Sequence, residues 1–242
     1  MHVHGLFPVS RPGRGKWPPA SLMAALDDVA RAALLSHGSD VGFRHREIVV
    51  LQGDVGDSLY VLTGGVVKVT VTAENGAETI LALRSRGDLI GEFALMDDKP
   101  RVATARAVGA VGAIRISRQD FEAFGRQHPR SLETLTRSLL TKMRASTDWY
   151  AQRARSARER LARALYDLAA DYGEREDDGS VVIPLELTQG EMGELAGTAV
   201  STTERILAGF REEGVVATGY KEITVRDMGR LRAIATAKES LS

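Results

Sequence analysis

The pattern of apolar and polar residues changes twice along the chain. Residues Ser21–His37 place apolar side chains near helical spacing, which predicts a short amphipathic helix. The residues on its predicted buried face are Leu22, Leu26, Val29, Ala33 and Leu34. From Val41 to Ser117 short apolar or alternating runs are separated by glycine-containing dipeptides, which is typical of strands and turns. After Phe121 the spacing becomes helical again.

Six short runs in the middle of the chain have the composition of β-strands. They are Glu47–Gln52, Ser58–Thr63, Val66–Thr72, Thr79–Leu83, Val102–Ala107 and Ala110–Ser117. Asn75-Gly76 predicts a type I′ hairpin turn, because both central residues of that turn need positive φ. Gly64-Gly65 stands between two of the runs and predicts another turn. Evenly spaced short strands favour an antiparallel barrel or sandwich.

From Pro129 the apolar residues predict a long helix, because proline suits the first turn. Its side chains near 3.5-residue spacing are Leu132, Leu139, Met143, Ser146, Tyr150 and Arg153. Spacing of this kind indicates a seam between two helices, and hence a homodimer. The alternative is a single amphipathic helix packed on its own strands.

The C-terminal part of the chain has the pattern of a winged helix-turn-helix. Thr188 and Glu191 have the spacing of a capping box, and Gly197 ends the first helix. A second predicted helix, Ala199–Glu213, stops at Gly214, and two short strands follow as a wing. The alternatives are a helical hairpin beside a β-hairpin, and a winged helix that contacts protein instead of DNA.

In a helix-turn-helix the second helix enters the major groove of DNA. On this geometry the predicted DNA-contacting residues are Thr188, Gln189, Val200, Ser201, Thr202, Arg205 and Lys221. Arg205 is predicted to donate two hydrogen bonds to guanine, whereas Thr188, Gln189 and Lys221 are predicted to meet the DNA backbone. Residues 159–242 carry 10 Lys+Arg and 16 Asp+Glu, a net charge of 10 − 16 = −6. Non-specific DNA affinity is therefore expected to be modest and strongly salt-dependent.

Composition excludes several classes of site. The 242 residues include no cysteine, which rules out disulfides, thiolate zinc sites and cysteine-ligated iron–sulfur clusters. The five histidines are scattered, and neither a Ser/His/Asp set nor a P-loop occurs, so no catalysis and no metal are expected. Residues 1–20 carry no continuous apolar core and are predicted to be a disordered tail. With no apolar run near the 18 or so residues that span a bilayer, a cytoplasmic location is expected.

Four segments together resemble the Crp/Fnr family of transcription regulators. They are Gly53–Tyr60, Gly87–Leu95, Pro100–Ala107 and the Thr188–Arg205 helix-turn-helix, and the resemblance covers nearly all of Ser21–Leu231. It implies an α+β protein with an antiparallel β-barrel of cyclic-nucleotide-binding, jelly-roll type, a long dimerisation helix and a winged helix-turn-helix. The implied bounds are an effector domain at 21–128, a dimerisation helix at 129–157 and a DNA-binding domain at 158–242.

The resemblance also implies a function. A homodimer would bind a near-palindromic site in double-stranded DNA under the control of a small effector, would meet RNA polymerase, and would have no membrane partner and no enzymatic activity. The recognition helix departs from the family pattern, because Val200 and Ser201 stand where cyclic-AMP-binding members carry Arg and Glu. A different DNA sequence is therefore expected to be read.

In cyclic-nucleotide binders of the family, the segment matching Gly87–Ala107 holds the phosphate. The resemblance implies that Arg101 neutralises the phosphate of cyclic AMP or another cyclic nucleotide, and that Glu92 accepts a hydrogen bond from the ribose. The implied effector-binding residues are Gly91, Glu92, Phe93, Ala94, Arg101, Val102, Ser146 and Thr147. Val102 departs from the pattern, because cyclic-AMP-binding members carry a hydroxyl there. The alternatives are a family member that binds another ligand or none, and an Arg101 that only pairs with a nearby carboxylate.

Overall fold

The computed structural model of the chain describes residues 17–18, 21–151, 155–183, 187–219 and 222–237, without the side chains of residues 142, 143, 145–151 and 171. The chain divides into two compact units, Met1–Ala145 and Ser146–Ser242. Among the residues described, no helix is both long enough and apolar enough to cross a membrane.

The N-terminal unit begins with two short helices instead of the single one predicted. Helix α1 spans Leu22–Ala25 and helix α2 spans Asp28–Ser36. Asp27 accepts a hydrogen bond from the amide of Ala30 at 2.8 Å and so starts a new helix. The break shifts the helical phase, and Val29, predicted to be buried, is 72% exposed. Leu22, Leu26 and Leu34 are buried as predicted.

The strands of this unit form one antiparallel sheet, as predicted. They are β1 (Ser39–Phe43), β2 (Ile48–Val50), β3 (Ser58–Thr72), β4 (Glu78–Ser85), β5 (Leu89–Ile90) and β6 (Thr104–Ser117). The strand order is β1-β6-β3-β4, with β2 paired to β6 and β5 paired to β3. None of the pairings between described strands joins β1 to β4, so closure of the sheet into a barrel stays a prediction.

The two longest strands each join two of the predicted runs. Gly64-Gly65 is not a turn, because β3 continues through it for 15 residues with register shifts on either side of Gly64. Gly65 has φ +76°, and a Cβ there would lie 2.2 Å from the carbonyl oxygen of Ala110. A bulge of this kind needs a glycine as much as a turn does, so the two look alike in sequence.

The hairpin between β3 and β4 is confirmed, but its turn type is not. Thr72 pairs with Glu78, and Gly76 has φ +81°. The non-glycine residues with positive φ in the described part of the chain are Arg46 and Asp98, so Asn75 does not have the conformation that a type I′ turn requires. A five-residue loop, Ala73–Ala77, closes the hairpin instead, with Gly76 donating to the Ala73 carbonyl at 2.8 Å.

The structure also describes α3 (Glu92–Met96), α4 (Arg118–Gln127) and α5 (Pro129–Ala151). Helix α5 extends beyond the end of this unit at Ala145. The start of α5 packs on its own unit, because Leu135 is buried in the core and Leu132 packs against it. Trp17, predicted to lie in the tail, also packs against this core, and the Arg86 guanidinium lies 4.4 Å from its ring. The structure does not describe tail residues 1–16 and 19–20, or the side chains of the later seam positions Met143, Ser146, Tyr150 and Arg153.

In its described part, the C-terminal unit combines helices with a small antiparallel sheet. Its elements are α6 (Ala157–Tyr172), β7 (Glu174–Arg175), β8 (Val181–Ile183), α7 (Gln189–Ala196), α8 (Val200–Glu212), β9 (Val216–Gly219), β10 (Glu222–Val225) and α9 (Met228–Thr236). The strand order is β7-β8-β10-β9. The antiparallel pair β9–β10 is the predicted wing. The acidic segment 173–180 contains β7, which pairs with β8.

Candidate functional site

The first candidate site is a cassette of chain around the start of α3. Gly91 precedes α3 with φ +88°, a conformation that favours glycine. A Cβ on Gly91 would lie 2.3 Å from Nη1 of Arg101, and a Cβ on Gly56 would lie 2.6 Å from the Cβ of Ala94. The two glycines therefore let the Arg101 side chain and α3 approach the backbone closely.

Arg101 is buried at the centre of this cassette, with 6% of its surface exposed. Its Nη1 donates to the carbonyl of Gly91 at 2.6 Å, and its Nη2 donates to the carbonyl of Ser58 at 2.5 Å. Burial lowers the pKa of the Arg101 guanidinium from its ordinary value, while Tyr60, Asp57 and Glu92 act in the opposite direction. Both of these hydrogen bonds go to backbone carbonyls.

The other predicted cassette residues fall into two groups. Glu92 and Ala94 are buried, with 4% and 2% of their surfaces exposed. Phe93 and Val102 are turned to solvent, with 36% and 56% exposed. The structure therefore brings Gly91, Glu92, Ala94 and Arg101 together, whereas the side chains of Ser146 and Thr147 lie outside its described part.

Arg118, the first residue of α4, is a cassette residue that the sequence analysis missed. Its Nη2 donates to the carbonyls of Gly56 at 3.0 Å and Ala94 at 2.9 Å. Its Nη1 contacts a carboxylate oxygen of Asp98 at 2.5 Å. Arg118 thus holds the last turn of α3, and no local pattern reveals this because the partners lie 20 to 62 residues away in sequence.

Asp57, beside the cassette, accepts hydrogen bonds from two side chains. The Ser58 hydroxyl donates to its Oδ1 at 2.8 Å, and the Arg115 guanidinium donates to its Oδ2 at 3.0 Å. The Ser58 hydrogen bond is the main reason that the pKa of Asp57 lies below its ordinary value, and the Arg115 charge adds to it.

The second candidate site is the helix pair α7 and α8. Thr188 Oγ1 accepts from the amide of Glu191 at 3.1 Å, and Glu191 accepts from the amide of Thr188 at 2.8 Å. Gly197 ends α7 with φ +61°. The predicted capping box and glycine turn are therefore both present in the geometry.

A group of small residues that the sequence analysis did not single out brings α7 and α8 together. Thr203 is fully buried, and its hydroxyl shares a 2.7 Å hydrogen bond with that of Thr198. A Cβ on Gly193 would lie 2.6 Å from Thr203 Oγ1 and 2.8 Å from the Thr198 carbonyl oxygen. A glycine inside a predicted helix was the only local indication of this contact.

Helix α8 presents most of the predicted DNA-contacting residues at its surface. Its buried face consists of Thr203, Ile206, Leu207 and Phe210. Val200, Ser201 and Arg205 are exposed, and Thr202 is half-buried. At the start of α7, Thr188 is exposed and Gln189 is half-buried, while Lys221 lies outside the described residues.

Arginines at the start of α6 hold the ends of the two helices. Arg160 donates from Nε to the carbonyl of Ala196 at 2.8 Å and from Nη2 to that of Gly197 at 2.9 Å. Arg158 donates to Glu213, just after α8, at 2.6 Å. The first turn of α6 thus orients the helix pair. Over the residues that the structure describes, no cluster of three or more metal-ligating side chains occurs.

Comparisons with known proteins agree with this architecture. Residues 41–128 match the family described as cyclic nucleotide-binding domain, and residues 159–234 match the Crp-like helix-turn-helix domain. The cyclic AMP receptor protein of Thermus thermophilus is 33% identical over 188 residues, 77% of this chain and 83% of that protein. The CRP-like cAMP-activated global transcriptional regulator of Mycobacterium tuberculosis is 28% identical over 213 residues, 88% of this chain and 95% of that protein.

Solved structures show the same fold. The crystal structure of a CRP/FNR-family transcriptional regulator from Thermus thermophilus superposes with a TM-score of 0.69 at 24% identity, covering 82% of this chain and 99% of that one. FixK2 of Bradyrhizobium japonicum gives a TM-score of 0.72 at 19% identity, covering 83% and 98%.

A cyclic nucleotide-binding domain followed by a Crp-like helix-turn-helix defines a class of transcription regulators, and the chain belongs to the Crp/Fnr family. Like its relatives, it is a DNA-binding transcription regulator and not an enzyme. The predicted family and the predicted role as a DNA-binding transcription regulator are thereby confirmed.

Proposed function

We propose that a cyclic nucleotide, with cyclic AMP as the first candidate, binds at the cassette of Gly91, Glu92, Ala94 and Arg101 and controls DNA binding. The observation that carries this proposal is the buried Arg101 guanidinium, held against the carbonyls of Gly91 and Ser58. A buried cation fixed in this way is preorganised for a phosphate, because little side-chain freedom is left to lose on binding.

The chemistry of the cassette suits a nucleotide phosphate and sugar. A guanidinium has five N–H donors, and the two carbonyl contacts use two of them. Further charge-assisted hydrogen bonds to a phosphate are stronger where water is excluded. The buried Glu92 carboxylate supplies an acceptor for a ribose hydroxyl. The names of the mycobacterial and Thermus relatives, which refer to cAMP, support the same ligand class.

Val102 favours a second candidate, a family member that responds to a different ligand or to none. The side chain is 56% exposed directly after Arg101 and offers no hydrogen-bonding group. Titration calorimetry with cyclic AMP and cyclic GMP separates the two candidates, since binding of neither nucleotide at millimolar concentration supports the second.

On the DNA side, α8 enters the major groove. Ser201, Thr202 and Arg205 contact base edges, and Val200 contacts a thymine methyl group. Thr188, Gln189 and Lys221 bind the DNA backbone. The exposure of the α8 residues supports this assignment. In a homodimer two such helices sit about 34 Å apart and read a near-palindromic site. We also propose that the DNA-bound dimer works in the cytoplasm and contacts RNA polymerase.

Control requires that the effector bind one arrangement of the dimer more tightly than the other, because only differential affinity shifts an equilibrium. Arg101 supplies this difference in affinity if it contacts the effector only in the arrangement of the dimer that binds DNA. Ser146 and Thr147 are predicted to contribute further contacts to the effector.

Fluorescence anisotropy with a labelled duplex, with and without cyclic AMP, tests the proposal on the full chain. Arg101→Ala is expected to abolish the change in DNA affinity that cyclic AMP causes. The matched control Arg126→Ala, which removes an exposed arginine of α4, is expected to keep it. An Arg101→Ala protein with an undiminished response would show that the cassette does not bind the effector. If analytical ultracentrifugation showed the protein to be a monomer, the proposed homodimer would be wrong.

A further inference from the structure

We propose that Glu204, which the sequence analysis did not single out, is a specificity-determining residue that accepts a hydrogen bond from the amino group of a cytosine. The inference rests on the proposed role of α8 as the recognition helix and deepens it by naming a base.

Glu204 lies in the first half of α8, among the residues assigned to base edges. It follows Val200 by four positions and Ser201 by three, so it shares their side of the helix, and it directly precedes Arg205. Its side chain is exposed. The Glu204 side chain makes no hydrogen bond or ion pair with any residue that the structure describes, so its carboxylate has no described structural role.

A carboxylate at this position is selective because it accepts hydrogen bonds and donates none. In the major groove guanine presents two acceptors and thymine presents one, and each of these repels a carboxylate. Cytosine presents an amino donor alone, whereas adenine places an acceptor beside its amino group. Glu204 is therefore expected to favour cytosine and to penalise guanine and thymine most strongly.

The positive charge of Arg205 lies next to the negative charge of Glu204 in sequence and offsets it. Arg205 is also exposed and makes no ion pair with any described residue. A cation that contacts guanine and an anion that contacts cytosine together give the exposed first half of α8 almost no net charge. The attraction of this helix for DNA then depends on base contacts more than on phosphates.

Selection from a library of randomised duplexes, with the full chain as bait, tests the proposal. Glu204→Gln keeps the size of the side chain and removes its charge. We expect the cytosine preference at one position of each half-site to fall about tenfold, and adenine to gain, since Gln pairs well with adenine. Affinity for random DNA is expected to rise. The matched control is Glu212→Gln, an exposed glutamate about 12 Å further along α8.

The outcomes separate this inference from the assignment on which it rests. Unchanged base preferences in Glu204→Gln overturn the inference, and so does the same change at the same position in Glu212→Gln, which would indicate a general charge effect. If Arg205→Ala loses a guanine preference while Glu204→Gln loses nothing, α8 remains the recognition helix and only the role of Glu204 falls. If the unaltered chain selects no sequence, both fail. Equal melting temperatures of all variants show that folding is intact.

Discussion

The two candidate sites use arginine in opposite ways. In the cassette, Arg101 and Arg118 are directed to backbone carbonyls, and Arg101 is almost fully buried. On α8, the Arg205 side chain is exposed and makes no hydrogen bond with any described residue. A guanidinium held by carbonyls is positioned before its ligand arrives, whereas an exposed one must lose side-chain freedom on binding.

The two environments of these arginines predict where substitutions are tolerated. Replacing a cassette residue disturbs several backbone segments at once, because Arg101 alone contacts the carbonyls of Ser58 and Gly91. Replacing a residue on the reading face of α8 changes solvent-exposed atoms and leaves the core of the unit intact. Substitutions are therefore expected to be poorly tolerated in the cassette and well tolerated among the exposed residues of α8.

Gly91→Ala is expected to have the largest effect, a loss of about 3 kcal/mol in the free energy of unfolding of the N-terminal unit. A left-handed alanine costs about 1 to 2 kcal/mol. Displacing the Arg101 side chain, which the new Cβ would approach to 2.3 Å, costs about as much in hydrogen bonds. Thermal denaturation, with hydrogen exchange to assign the change to this unit, measures the loss.

Gly76→Ala provides the control for Gly91→Ala. Gly76 also has a positive φ, +81°, but a Cβ there would meet no atom within 4 Å. The control should therefore lose only the backbone contribution, about 1 kcal/mol. Equal losses in the two variants would show that close packing around Arg101 is not important.

Gly193→Ala is expected to destabilise the C-terminal unit by about 2 kcal/mol, because the new Cβ would overlap Thr203 Oγ1 and the Thr198 carbonyl oxygen. Gly190→Ala, in the same helix, would meet atoms only at 3.7 Å and should stabilise by about 0.5 to 1 kcal/mol. Denaturant unfolding compares the two. If both substitutions stabilised, the close approach of α7 and α8 would be refuted.

Arg160→Gln is expected to cost about 1.5 kcal/mol, because the carbonyls of Ala196 and Gly197 lose their donor. Arg163, one turn further along α6, pairs with Asp167 at the surface, and Arg163→Gln should cost only about 0.3 to 0.5 kcal/mol. The same unfolding experiment measures both. A cost for Arg163→Gln as large as that for Arg160→Gln would contradict the assignment of Arg160 to the turn.

The smallest expected effect is a pH dependence from Asp57. Its pKa lies below the ordinary value of 3.8, so the carboxylate contributes stability above that pH and loses it as the pH falls through the lower, folded-state value. The contribution is small, because the side chain is 75% exposed. Asp57→Asn should therefore be slightly less stable than the parent at neutral pH, with the difference disappearing in strong acid.

An NMR titration of the Asp57 carboxyl sharpens this last prediction. Ser58→Ala is expected to raise the pKa of Asp57 more than Arg115→Gln does, because the Ser58 hydrogen bond is the larger cause of the lowering. The opposite order would show that the ion pair with Arg115 dominates.

Local sequence patterns predicted those elements whose stabilising contacts are local. The capping box joins Thr188 and Glu191, which are three positions apart, and the hairpin loop after Thr72 has five residues, so both were visible in sequence. Features that depend on the exact register of a strand or the exact phase of a helix were not visible in sequence. The Gly64-Gly65 bulge has the same composition as a turn, and the helix break at Asp27 changed the phase that placed Val29.

The candidate site followed the same division. Family resemblance located Arg101 and the start of α8, because those motifs are continuous in sequence. Arg118 and Arg160 act on carbonyls up to 62 and 37 residues away, and nothing in their neighbouring residues indicates those partners. The fold alone brings such residues together, so sequence reasoning found the groups assigned to ligands and missed those that position them.

The contacts of Arg160 set a lower limit on the size of any working DNA-binding fragment of this chain. Helix α7 ends on a side chain that belongs to the first turn of α6, and that turn in turn starts with the Ser156–Glu159 capping box. A fragment beginning at Thr188 would keep every residue assigned to DNA and yet leave the end of its first helix without a donor. A fragment for crystallisation or engineering therefore has to begin no later than Ser156.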